Sequence, residues 1–215
     1  MKTARLEAFS DGVFAIAITL LVLNLVVPGA TSPFLTGARA VDVPQAKFFQ
    51  ELEAQWPAYL AFLVSFVSIG VMWINHSWMF GHILLVTRVA LMVNLIVLIT
   101  VVLIPFTTSI MMTFLRSQQD QHATQHAAAW IYIGSLLAMA AAFTLLWQVC
   151  FKTRGACSDL KADDIKGATR AVQFGPFAYV VLGVLANWTV TWSLVLCLVL
   201  NVFYWYPCGR GVTSR

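Results

Sequence analysis

Ser10 and Asp11 sit side by side in "RLEAFSDGVFAIAITLLVLNL", with Arg5 and Glu7 just before them and fourteen uncharged residues just after. An acid placed against so long an uncharged run admits three kinds of chemistry. With His76 of "WINHSWMF" it could form a Ser–His–Asp hydrolase, but the chain has no Gly-x-Ser-x-Gly elbow, no second acid and no evident oxyanion donors, so an enzyme is not expected. It could be a carboxylate that titrates in a proton relay or binds an ion, as a carrier would need. Or it could lock helices together by accepting hydrogen bonds from Arg5, Trp73 or His76. A second grouping, His122 and His126 beside Asp120, has the i,i+4 spacing of a metal pair. It offers only two imidazoles and no His-Glu-x-x-His, so no metal or cofactor is expected. His76 and His82, six apart, fall on different helix faces and cannot chelate together.

Thr19 is the other polar residue of this stretch that asks for a role. At about 100° per helical residue, with Asp11 at zero, Thr19 falls near 80°, Leu23 near 120°, Ile16 near 140° and Leu20 near 180°. The four share one face at i, i+3, i+4, i+7, and Asp11 points away from it. Read alone, such a stripe is a packing seam between helices.

The elements that carry these residues are membrane helices. Of 215 residues 60% are hydrophobic and 10% charged, against about 25% charged in a soluble domain; the mean hydropathy is +0.81. The net charge of +4 is too small and scattered for a nucleic-acid partner. The first apolar run does not read as a cleaved signal peptide, since an acid and a Ser-Asp pair precede it and no small-residue cleavage site follows. Four cysteines without a Cys-x-x-Cys read as free thiols in or near helices. About 20 apolar residues cross a bilayer, which predicts six spans in a single unit covering 1–215, at about 6–27, 56–73, 89–115, 127–151, 171–187 and 188–206. A short amphipathic stretch, "QAKFFQELEAQW", precedes the second, Pro105 is expected to kink the third, and Asn187-Trp188 mark a tight turn before the sixth. No 3+3 inverted repeat is visible. Six spans put both termini on one side. Ten of the 13 basic residues fall on that side and three (Arg39, Lys47 and Arg116) on the other. The positive-inside rule therefore places the termini in the cytoplasm.

"RLEAFSDG" followed by "VFAIAITLLVL" closely resembles the Arg-x-x-x-Phe-Ser-Asp signature of the transmembrane protein 175 potassium channels, here Arg5, Phe9, Ser10 and Asp11. "WINHSWMF", with Trp73 and His76, strengthens the resemblance, as do six spans in about 200 residues. The family implies a multi-pass protein of the cell membrane that passes K+ through the lipid bilayer. Its pore is lined by the first helices of four six-helix units, so one unit per chain implies a homotetramer. Its narrow ring, five residues after the signature acid, maps onto Ile16, with further apolar layers at Leu20 and Leu23. A threonine layer tied to potassium preference maps onto Thr19. The expected fold is thus an all-α, six-span channel unit with a hydrophobic gate at Ile16, Leu20 and Leu23 and a polar clasp of Arg5, Asp11, Trp73 and His76. The alternative is a secondary transporter or proton carrier using Asp11. At Asn24 the chain departs from the bacterial members of the family it resembles, which often carry a carboxylate there.

Overall fold

The computed structural model describes residues 3–25, 45–83, 86–116, 122–152 and 162–208. It is all-helical: α1 (Thr3–Leu20), continued by a 3-10 turn (Leu21–Asn24), then α2 (Gln45–Ala54), α3 (Trp56–Gly81), α4 (Arg88–Arg116), α5 (His122–Lys152), α6 (Ala162–Leu185) and α7 (Val190–Cys208). Five of these are long and apolar enough to cross a membrane, and α7 adds a shorter apolar stretch, Val190–Val202, among the described residues. α3 is central, lying against α1, α4 and α7. α4 pairs with α5 and α5 with α6, and α1 rests in the angle between α3 and α4.

In hydrocarbon no solvent drives helices together, so close packing and interhelical hydrogen bonds must do it. Both are present. Ala58, Ala61 and Val64 of α3 are fully buried, as are Val97, Val101 and Ile104 of α4 and Tyr132, Leu136 and Leu146 of α5. The Ser65 hydroxyl ties three helices at one level, at 2.7 Å from the Thr108 hydroxyl and 2.8 Å from that of Tyr132. One turn away Thr107 and Ser135 pair at 2.8 Å. Each such bond contributes about 0.6–2 kcal/mol between membrane helices. Gly183 admits the Trp130 ring, since a Cβ there would lie 2.9 Å from ring carbon Cζ3. The Trp130 indole then donates to Asn187 Oδ1 at 3.0 Å, in the turn between α6 and α7.

Pro176 lies inside α6 and cannot donate to the carbonyl four residues earlier. That carbonyl, of Val172, instead lies 3.1 Å from the Thr144 hydroxyl of α5, whose one proton it shares with the Ala140 carbonyl at 2.8 Å. Pro105 likewise lies inside α4.

Several helices run past the spans expected from hydropathy. α3 continues eight residues beyond Trp73, to Gly81, so "NHSWMF" is helix rather than a junction. α5 starts at His122 and α6 at Ala162, inside the expected links. Hydropathy senses only the part of a helix that lies in hydrocarbon, whereas hydrogen bonding carries a helix on into the polar zone. The first span is the opposite case: its α-helix ends at Leu20 and tightens to 3-10 geometry. The short amphipathic stretch is helix α2.

Candidate functional site

The inward face of α1 is built from Leu6, Ser10, Phe14, Ala17 and Leu21, all buried. Their spacing of three or four residues makes a continuous stripe toward α3 and α4. The opposite face is open: Phe9 is 55% exposed, Ile16 60%, Leu20 41% and Leu23 41%, and Thr19 is exposed between them. The 3-10 turn turns about 120° per residue, which sets Leu23 directly over Leu20. The four residues Ile16, Thr19, Leu20 and Leu23 therefore share the side of α1 that its own protomer leaves uncovered.

The Thr19 hydroxyl donates to the Ile16 carbonyl at 2.9 Å. Its proton is committed to the helix, and its oxygen lone pairs are what it presents outward. That is the polarity a cation would meet.

A polar group behind the stripe anchors α1. Trp73 Nε1 donates to Asp11 Oδ1 at 2.9 Å. Beside it a second chain runs through the buried interior: His76 Nε2 donates to Asn94 Oδ1 at 2.8 Å, and Asn94 Nδ2 donates to Ser10 Oγ at 3.1 Å. An amide oxygen only accepts, so His76 carries its proton on Nε2. The imidazole is packed between Phe14 and Phe80, with ring centroids 5.3 and 4.6 Å away. Ser10, His76 and Asn94 are all within 1% of complete burial. Arg5 is exposed on the first turn of α1 and Phe9 is exposed on its open side, so neither belongs to this buried chain. Asn94, in the apolar run "VALMVNLIVLIT", is the member that sequence reasoning missed. A lone amide at membrane depth must find partners, and that rule could have singled it out.

Asn24 has a definite place as well. Its Nδ2 donates to the Pro105 carbonyl of α4 at 2.9 Å. It therefore pins the far end of α1 to α4, as Ser10 and Asp11 pin the near end to α4 and α3. His126 Nδ1 lies 2.9 Å from the Ala186 carbonyl, which ties α5 to the end of α6. Asp120 falls outside the described residues, and no group of three or more metal-ligating side chains occurs among those that are described. Cys150 and Cys197 are both buried.

Comparison with known proteins gives this geometry a context. The family model described as "Endosomal/lysosomal potassium channel TMEM175" matches residues 5–105, which hold the α1 stripe and every member of the polar group. A potassium channel of Chamaesiphon minutus is 36% identical over 205 residues, covering 94% of this chain and 93% of its own. A potassium channel of Streptomyces collinus is 38% identical over 173 residues, covering 80% and 76%. The crystal structure of a lysosomal potassium-selective channel TMEM175 homolog from Chamaesiphon minutus superposes with a TM-score of 0.78 at 34% identity, over 96% of this chain and 97% of that one. With identity of this level sustained along nearly the whole length of both chains, and with the signature residues in the contacts described above, the chain belongs to the TMEM175 family of ion channels.

Proposed function

We propose that the protein is a potassium-selective channel of the cytoplasmic membrane, made of four copies, each crossing the bilayer six times with both termini in the cytoplasm. The observation that carries this reading is the two-faced α1. Its inner face is buried and hydrogen-bonded at both ends, while Ile16, Thr19, Leu20 and Leu23 stand exposed on the outer face. A helix held so firmly on one side is suited to line a path with the other. Four copies around an axis would set the Ile16 side chains in a ring, and an apolar ring closes by expelling water. The Thr19 oxygens, about 4.5 Å further along at three residues of 1.5 Å each, would replace part of an ion's water shell. Relatives named as potassium channels cover most of this chain and support K+ as the permeant ion. The lack of a TVGYG-like stretch in the sequence leaves side chains, not backbone carbonyls, to discriminate. The group of Ser10, Asp11, Trp73, His76 and Asn94 sets the azimuth of α1 and takes no direct part in conduction.

The test is purified protein in potassium-loaded liposomes under a potassium/sodium gradient. A channel gives a potassium-driven current that reverses near the potassium potential. No flux, or slow saturable flux that moves with proton gradients, would replace this reading with a scaffold or with an Asp11 carrier.

A further inference from the structure

α2 has ten residues, and an isolated helix shorter than about 12–15 residues is marginal in water. It needs a surface against which to fold. Among the described residues, the element it mainly meets is α3. Its apolar side chains instead face away. Phe49 is 53% exposed, Leu52 36% and Trp56, the residue that opens α3, 54%. At about 100° per residue Phe48, Phe49, Leu52 and Trp56 fall within an arc of about 100°, with Gln50 and Ala54 opposite.

Two features say what covers this arc. Trp56 is at once the end of the stripe and the first residue of a membrane-crossing helix, which places it at the boundary between hydrocarbon and water, where tryptophan is enriched. Leu63, about two turns along α3 at the same azimuth, is also exposed. The stripe therefore runs on into a face of α3 that stands open at hydrocarbon depth. Charge says which kind of membrane surface it is. Residues 45–56 hold one basic residue and two acidic ones, so nothing there favours anionic headgroups.

We propose that α2 is an interfacial helix, lying on the bilayer at the end of α3 remote from Trp73, with Phe49, Leu52 and Trp56 seated among the upper acyl chains. Its partner is the lipid surface itself, and the attraction is apolar burial that does not depend on anionic lipid.

The experiment reconstitutes the full-length protein in phosphatidylcholine brominated either near the carbonyl end or near the methyl end of the acyl chains. Trp56 fluorescence is isolated as the difference between wild type and Trp56→Phe. The difference signal should be quenched most by the shallow bromine, less by the deep one and not by aqueous iodide. Replacing part of the lipid with phosphatidylglycerol should leave it unchanged. Quenching by iodide alone would put α2 in water, and quenching by neither lipid would put it under protein, as a neighbouring copy would; either result overturns the proposal. If Trp56→Phe does not fold, Phe49→Trp in otherwise wild-type protein supplies a gained signal that must show the same order of quenching.

Discussion

Single side chains divide the labour of α1. Thr19 donates its proton to its own helix and turns its lone pairs outward. Thr19→Val keeps the shape and removes the oxygen. Potassium sheds water more readily than sodium, so a weak oxygen layer helps it more. The expected result is a several-fold fall in potassium-over-sodium preference, less than the tenfold that about 1.4 kcal/mol would produce, with assembly intact. Reversal potentials under bi-ionic conditions measure it, and an unchanged value leaves Thr19 a packing residue. Asp11 is on the other side of the ledger, as the acceptor of the Trp73 indole. Asp11→Asn retains an acceptor oxygen and should assemble and conduct. Asp11→Leu leaves the indole N–H without that partner; because Trp73 is 41% exposed, the loss should cost about 0.5–1.5 kcal/mol, seen as a lower melting temperature in detergent. An Asp11→Asn protein that assembles normally yet loses proton-coupled transport would turn the case toward a carrier. Ser10, Asp11, Trp73 and His76 could all be picked out from sequence, because charged and polar types against an apolar run are conspicuous. Of their pairings, the Asp11–Trp73 bond is one of those the sequence suggests; the others could not be read from it. The expected partner Arg5 is exposed, and the true link for Ser10 and His76, Asn94, comes from a helix whose contact with α1 depends on the tertiary fold.

At the scale of elements, the order of the apolar helices follows from hydropathy, with five long enough to cross a membrane and a shorter apolar stretch in α7 among the described residues, but their ends do not. "NHSWMF" looks like a break because it is polar. It remains helical because His76 finds Asn94 across the bundle, and the Trp78 ring stacks on Trp147 of α5 at 5.9 Å. The start of α6, "ADDIKGATR", is charged and still helical, with Thr169 accepting from the Trp147 indole at 3.0 Å. Such cross-helix partners are invisible to a window that slides along one helix. The same holds at Pro176. Its presence in a span is plain from sequence, whereas the compensation by Thr144 is not. Thr144→Val is close in shape and removes the hydroxyl that satisfies the Val172 carbonyl. In this part-buried setting the lost hydrogen bond should cost about 0.5–1 kcal/mol, lowering thermal stability while leaving ion selectivity unchanged. A change of selectivity in this variant would mean that the α5–α6 contact reaches the conducting path.

At the scale of the whole molecule, the proposed pore needs more than one copy of the chain. Its α1 stripe faces outward, so a ring of Ile16 exists only when several copies meet. This separates a shared pore from four independent carriers. In a shared pore, whether water fills the constriction depends on the polarity of the whole ring. One Ile16→Asn among four isoleucines wets the ring only slightly; two or three bring it close to the filling threshold. Linked tetramers carrying zero to four Ile16→Asn copies should therefore show potassium flux that rises steeply and more than proportionally with copy number, while selectivity falls. If each protomer held its own path, every substituted copy would add the same increment. Liposome flux measured across the five linked proteins reads the difference directly. Equal steps would remove the shared ring at Ile16, and with it the reason for the exposed face of α1 to be turned toward other copies rather than toward lipid.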